Sequence, residues 1–182
     1  SGKMEIIPVE YDMCSLLNDI NNMIGLKAQG KGLDFSMTIQ EDLPSRLLGD
    51  DIRIRQILIN LLSNAVKYTP SGSVELRITS DSRSTNSVEL HYEVIDTGIG
   101  IKEEDLNKLT HAFSRIEEER NRNIEGTGLG ISICSNLLSL MDSKLQIIST
   151  YGKGSNFHFV LSQEIVDTTP VRNIQERLSS CC

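Results

Sequence analysis

No apolar run in this chain approaches the roughly 20 residues that a membrane span needs. Basic residues are also in short supply: 18 Lys and Arg stand against 25 Asp and Glu, a formal net charge of −7. That balance excludes a phosphate-backbone partner such as nucleic acid, whose binding needs a basic surface. Cysteine is sparse, at Cys14, Cys134, Cys181 and Cys182. Only the last two are close, and adjacent cysteines are not metal-ligand spacing. Cys14 and Cys134 fall on the apolar faces of expected helices, so buried free thiols and a reducing, cytoplasmic setting are expected. The opening Ser1-Gly2 reads as a tag remnant, with no signal peptide expected. What remains is ordinary: 182 residues, 38% hydrophobic and 24% charged, enough for one globular domain with a real core.

The hydrophobic pattern predicts the following elements. Residues 3–11 read as a linker and first strand, and a helix follows from about Asp12 to Ala28, with Met13, Leu16, Leu17, Ile20 and Ile24 on one face. Leu33, Phe35, Met37 and Ile39 alternate as a half-buried strand that Leu43-Pro44 breaks. A long helix starts after Asp50, whose carboxylate suits a cap, and ends near Thr69-Pro70. Strands are expected at 73–79 and 88–95 around the polar hairpin loop 80–87, then a short helix from Glu103 to Ala112. The charged stretch 114–126 is expected to be a mobile loop. A helix over 128–141 and strands near 144–149 and 156–162 complete the core, and the tail from Thr168 reads as linker or disorder. Strict strand–helix alternation is missing, so the pattern is α+β: one mixed sheet with helices on one face.

Four segments carry chemistry. On the long helix, Ile54, Leu58, Ile59, Leu61, Leu62, Ala65 and Val66 form an apolar face, opposite Arg53, Gln56, Asn60, Asn64, Lys67 and Tyr68. Asn60 and Asn64 stand one above the other, although asparagine is a poor helix former. Either this is a solvated polar face, or the amides offer neutral oxygen ligands to a hard cation such as Mg²⁺. Asp96-Thr97-Gly98-Ile99-Gly100-Ile101 follows a strand. It is either a plain turn or a carboxylate acceptor for an adenine amine, with backbone packed close behind. Gly126-Thr127-Gly128-Leu129-Gly130 opens a helix and suits an anion, yet it matches neither a P-loop nor a dinucleotide fingerprint. Tyr151-Gly152-Lys153-Gly154-Ser155-Asn156-Phe157, taken alone, is a hairpin.

The order of these segments is what is specific. An Asn-bearing helix, DTGIG, a polar loop, GTGLG and then GKGS before a strand resemble the GHKL superfamily, which includes DNA gyrase, heat-shock chaperones, mismatch-repair ATPases and histidine kinases. Within it, Gln56 to Pro70 is similar to a histidine kinase N box, and Gly49-Asp50 and Gly2-Lys3-Met4-Glu5 also resemble that family. The resemblance covers about residues 2–165. It implies a Bergerat-type two-layer α/β sandwich with a mixed, mostly antiparallel sheet. It divides the chain into 1–11, a linker from a missing acceptor domain plus a first strand; 12–166, the ATP-binding catalytic domain; and 167–182, a linker or disordered tail.

Position by position, the resemblance implies that Asn64 binds Mg²⁺ and that Asn60 lies toward the phosphates. Lys67 would contact phosphate oxygens and Tyr68 the adenine. Asp96 would read the adenine, with Gly98, Gly100 and Ile101 around it, and Gly126, Thr127, Gly128, Leu129 and Gly130 would face the phosphates. Leu109 to Arg115 sits where the family has its F box, making Arg115 the cation near the γ-phosphate; the family's Phe-Glu is replaced here by Thr110-His111. Asn156 stands where a small hydroxyl residue usually precedes the phenylalanine, so a hydroxyl contact to adenine is not assumed. The implied activity is transfer of the ATP γ-phosphoryl group to a histidine on a separate helical hairpin, for onward transfer to a response regulator receiver aspartate. None of His91, His111 and His158 is followed by Glu or Asp, so this chain is expected to hold the catalytic apparatus without the acceptor and not to autophosphorylate alone. His91 and His158 read as structural and His111 as a surface residue. The alternatives are an ATP-driven conformational switch and a non-catalytic nucleotide-binding module. A monomeric fragment of a homodimeric parent is expected, as a cytoplasmic domain without direct membrane contact, the parent itself open to membrane anchoring.

Overall fold

The computed structural model describes residues 5–118 and 129–171, with side chains described outside 113–129. Strand β1 (Val9–Asp12) leads into helix α1 (Met13–Gly30), where the Asp12 side chain accepts from the Ser15 N–H at 3.0 Å as an N-cap. Helix α1 ends in a Schellman motif: Leu33 N–H donates to Ala28 O, Gly32 N–H donates to Gln29 O, and Gly32 takes φ +70°. Strands β2 (Asp34–Ile39) and β3 (Pro44–Gly49) follow. Asp50 then caps α2 (Asp51–Lys67), accepting from Arg53 N–H at 3.1 Å and, with its other oxygen, from Ile7 N–H at 2.8 Å. Strands β4 (Ser73–Arg83) and β5 (Ser87–Asp96), helices α3 (Glu103–Glu118) and α4 (Leu129–Leu140), and strands β6 (Gln146–Thr150) and β7 (Gly154–Pro170) complete the chain.

The seven strands form one sheet in the order β1-β3-β7-β5-β4-β2, with β6 pairing β7. Every pairing is antiparallel except β2 with β4. The long β7 makes this possible: along one edge its first residues pair β6 and its last pair β3, while β5 runs along the other. Leu90, Tyr92 and Val94 of β5 alternate inward with Phe159 and Leu161 of β7, and all are buried. The Tyr92 and Phe159 rings stack at 4.9 Å. Helices α1, α2 and α4 cover this inner face, so the expected mixed sheet with helices on one face is the fold observed. No helix among the described residues is long and apolar enough to cross a membrane.

Several local expectations give way to long-range pairing. Pro44 opens β3 instead of ending structure; the first residue of a strand tolerates proline. Strand β7 continues through Thr168 to Pro170, and Val171 is buried with its N–H donating to Leu43 O at 2.9 Å. Strand β4 extends to Arg83, leaving a hairpin turn closed by Ser84 N–H on Ser87 O at 2.8 Å. Helix α3 continues to Glu118, so the backbone at 114–118 is helical where a loop is expected; residues 119–126 of that stretch lie outside the described residues. On α2 the buried face includes Ile57, while Ile59 is only partly covered.

Candidate functional site

A cavity of about 350 Å³ opens between the sheet and the helices. Helix α2 contributes Asn64, Ala65 and Tyr68 to its wall, and the end of β5 contributes Asp96. The loop after β5 supplies Ile99, Gly100, Ile101 and Lys102, and α3 supplies Asp105 and Leu109. Ile131 of α4, Tyr151 of the β6–β7 turn, and Ser155 and Phe157 of β7 close the remainder. The walls are mainly apolar, with few polar groups, the composition that small-molecule sites favour.

Asp96 is the buried charge of this cavity, 7% exposed. Burial raises its carboxyl above the ordinary 3.8, while backbone N–H groups of Gly98 (2.9 Å) and Ser155 pull it back. Those donors hold the carboxylate in place, and it keeps acceptor capacity toward the cavity.

The two glycine motifs around Asp96 exist because backbones touch there. A Cβ on Gly98 would strike Tyr68 O and the Thr69 hydroxyl. At Gly100, with φ +69°, it would strike Thr150 O; at Gly154, with φ +133°, Asp96 O. Hydrogen bonds fix the same contacts: Ile99 N–H to Tyr68 O (3.1 Å), Gly152 N–H to Ile99 O (2.6 Å), and Ile101 N–H to the Ser149 hydroxyl (2.8 Å). The N-box helix end, the DTGIG loop and the GKGS turn are therefore one locked unit.

The structure brings together Asn64, Tyr68, Asp96, Gly100 and Ile101 of the expected site, with Gly98 directly behind the wall. Helix α4 arrives with its first turn beside Asn64: a Cβ on Gly130 would lie 3.6 Å from the Asn64 amide nitrogen. Among the described residues that amide makes no hydrogen bond, and no group of three His, Cys, Asp or Glu side chains is placed to hold a metal. Asn60 does not line the cavity; it hydrogen-bonds the Cys134 thiol, which burial pushes up to about 12. Lys67 is exposed, with its ammonium 5.3 Å from the Tyr68 ring centroid. Arg115 and Leu129 lie in helices whose side chains there are not described, and Gly126, Thr127 and Gly128 lie outside the described residues.

Lys102, Asp105, Leu109, Ile131, Tyr151, Ser155 and Phe157 line the cavity without having been singled out from the sequence as binding residues. Strand parity could have found Ser155, which shares a face with Phe157. It offers the cavity a hydroxyl, whereas Asn156 points to the opposite face and donates to Glu93 at 3.1 Å. Tyr151, 60% exposed, forms the lip with the Lys102 ammonium 5.1 Å from its ring centroid, a tertiary pairing that sequence spacing does not reveal.

The histidines stand apart from the cavity. His111 is exposed on α3. On the outer sheet face, His91 Nε2 and His158 Nδ1 are 3.3 Å apart, and His91 Nδ1 lies 3.6 Å from Asp81. Burial and His91 lower the His158 pKa from 6.5, with Glu93 opposing. The unfolded chain therefore takes up a proton that the folded chain resists, and stability falls as pH drops through about 6.5 toward the lowered folded value. Melting His158→Gln between about pH 7.5 and about pH 5 should show a flatter acid loss than the parent chain; parallel profiles would show that His158 plays no part.

A fold with one helix-covered mixed sheet and a cavity walled by an Asn-bearing helix and an Asp-Thr-Gly loop defines a nucleotide-binding class. The Histidine kinase-, DNA gyrase B-, and HSP90-like ATPase model matches residues 49–165, and the chain belongs to that family. Within it, the chain is the ATP-binding catalytic module of the histidine kinase type. It is 36% identical over 175 residues to hybrid signal transduction histidine kinase B of Dictyostelium discoideum, covering 96% of this chain and 9% of that protein. It is 30% identical to the signal transduction histidine-protein kinase BarA of Escherichia coli, covering 91% of this chain and 18% of that one. The chain thus spans under a fifth of the length of either relative. Among solved structures, full-length ShkA in complex with AMPPNP superposes with a TM-score of 0.68 at 28% identity, over 91% of this chain and 32% of that one. The nucleotide-free catalytic domain of histidine kinase ThkA gives 0.60 at 27% identity, over 87% and 95%.

Proposed function

We propose that this cavity takes ATP base-first, with the adenine amine on Asp96, and presents the γ-phosphoryl group to a histidine on a separate acceptor hairpin of the parent protein. A response regulator receiver aspartate is the onward acceptor, and the parent works as a homodimer on the cytoplasmic side. The observation that carries the reading is a held, buried carboxylate at the end of an apolar cavity, with the Asn64 amide, unbonded among the described residues, and the first turn of α4 beside it.

In this reading the adenine lies among Tyr68, Ile99, Ile101 and Phe157, and Ser155 adds a hydroxyl beside Asp96. The first turn of α4, with Gly126, Thr127, Gly128, Leu129 and Gly130, receives phosphate through backbone N–H groups and the helix dipole. Lys67, Asn60 and Arg115 are the proposed polar and cationic contacts to the phosphates. Asn64 is the proposed protein ligand of Mg²⁺, which supplies charge neutralisation when bound. A neutral amide oxygen on the cavity wall is the donor type that such an ion accepts.

Calorimetry tests the base end. ATP and ADP with Mg²⁺ should bind with micromolar Kd, about −8 kcal/mol. GTP should bind at least about tenfold more weakly, because its 6-oxo group puts an acceptor against the Asp96 carboxylate. Equal affinity for GTP and ATP would remove Asp96 from base recognition.

Asn64→Ala tests the phosphate end. It deletes the proposed metal ligand and leaves the Asp96 wall untouched, so ADP without Mg²⁺ should bind within about threefold of the parent chain. The gain on adding Mg²⁺ should disappear, and phosphotransfer should fall about 100-fold or more. An unchanged Mg²⁺ dependence in the titration would contradict this role for Asn64.

A further inference from the structure

We infer that Lys31 is a positioning residue for the nucleotide site: from outside the cavity it caps the end of helix α2 and thereby sets the pose of Tyr68. Its effect on nucleotide rests on the function proposed above; its effect on the helix end does not.

Helices α1 and α2 end differently. Helix α1 satisfies its last carbonyls through the two Schellman hydrogen bonds made by Gly32 and Leu33. Helix α2 cannot do the same. Its C-cap is Tyr68, and the residue that would donate the long Schellman bond is Pro70, which has no N–H. The carbonyls at this end are instead satisfied one by one. Asn64 O accepts from Tyr68 N–H at 3.0 Å. Ala65 O, the acceptor Pro70 leaves without its usual partner, takes the Thr69 hydroxyl at 2.7 Å. Tyr68 O takes Ile99 N–H at 3.1 Å from the DTGIG loop. The two between them fall to Lys31. Its ammonium donates to Val66 O at 2.7 Å and to Lys67 O at 3.1 Å, while among the described residues the other donor on Val66 O is Thr69 N–H at a long 3.4 Å.

The position of Lys31 suits that task. It is itself the C-cap residue of α1, so its backbone is fixed by that helix end. Its charge then lies at the negative end of the α2 dipole. Tyr68 is held from one side by Lys31 through its preceding carbonyls and from the other by Ile99 on its own carbonyl. Both Tyr68 and Ile99 line the cavity. Removing the ammonium leaves Lys67 O without its protein donor and frees the last turn to fray.

The test uses Lys31→Met, which keeps an unbranched stem without a donor, and Lys31→Arg, which keeps the charge and donors. Hydrogen exchange is read residue by residue without nucleotide, and ADP affinity by calorimetry. In Lys31→Met the Tyr68 and Ile99 amides should exchange about tenfold faster while central β5 amides stay protected, and ADP should bind about tenfold more weakly. Lys31→Arg should recover most of both. Should Lys31→Met fail to fold, Lys31→Leu, which also has no donor, is read in the same way. Unchanged exchange at Tyr68 and Ile99 overturns the inference, as does a uniform rise across all amides with ADP affinity intact. A parent chain that binds no ADP at all would instead sink the proposed function, while the exchange comparison still decides the cap.

Discussion

Asp96→Asn is expected to weaken ADP by roughly 30- to 150-fold, about 2–3 kcal/mol, while leaving the fold at least as stable as before. The carboxylate already accepts from the Gly98 and Ser155 backbone N–H groups and still has a lone pair for the cavity. An amide has one acceptor oxygen. If that oxygen faces the backbone donors, the NH₂ meets the adenine amine donor to donor; if it faces the adenine, the NH₂ meets backbone N–H. Stability moves the other way. Burial raises the Asp96 pKa, so the folded chain holds the proton more tightly than the unfolded one, and at neutral pH the ionised group opposes folding. Asparagine removes that opposition. A calorimetric titration beside a thermal melt separates the two effects. Unchanged ADP affinity would exclude Asp96 from the site, and a lower melting temperature would show that the carboxylate serves the fold instead.

The second large effect is expected at Gly154→Ala. Gly154 sits at φ +133°, a region closed to side chains, and its Cβ would overlap Asp96 O and lie 3.0 Å from Asp96 C and Thr97 Cα. All three are backbone atoms, so no rotamer relieves the clash. Urea unfolding should show a loss of about 2–4 kcal/mol, and nucleotide binding should fail because the displaced atoms carry Asp96. Gly25→Ala is the control: it lies within α1 with nothing within 4 Å of the added Cβ, and should gain about 0.5–1 kcal/mol. Similar losses at both positions would show that general sensitivity to substitution, and not the contact with Asp96, is responsible.

What the sequence makes legible is what local chemistry determines. Asp50 as a cap, the apolar stripe of α2, and the alternation of β5 up to Asp96 all follow from nearest-neighbour physics, and the structure places them as expected. The glycines at 98 and 100 are legible as requirements for close approach, though not which backbone approaches, whereas Gly154 reads only as part of a hairpin until Asp96 O is seen against it. What stays hidden depends on partners far along the chain. Strand β3 is short and begins with proline, and β7 outruns its apolar pattern because each finds hydrogen bonds in the other. Asn60 has helical phase with Asn64, yet α4 brings Cys134 against it. Lys31 stands between two glycines, and nothing local to it shows that α2 ends without a glycine cap, 35 residues away. Ser155 shares a strand face with Phe157, and only the packed sheet shows that this face is the cavity side.

The central claim is that this chain supplies nucleotide and catalytic groups to a histidine it does not itself carry. The most direct measurement is transfer of γ-labelled phosphate from ATP to a purified acceptor hairpin domain of a histidine kinase, with this chain added in trans. Label should appear on the hairpin as an acid-labile, base-stable phosphohistidine, only with Mg²⁺ present, and none should appear on this chain alone. Nucleotide binding with no label on any acceptor offered, while ATP is hydrolysed or left intact, would contradict the assignment and leave a nucleotide-driven switch or a silent binding module.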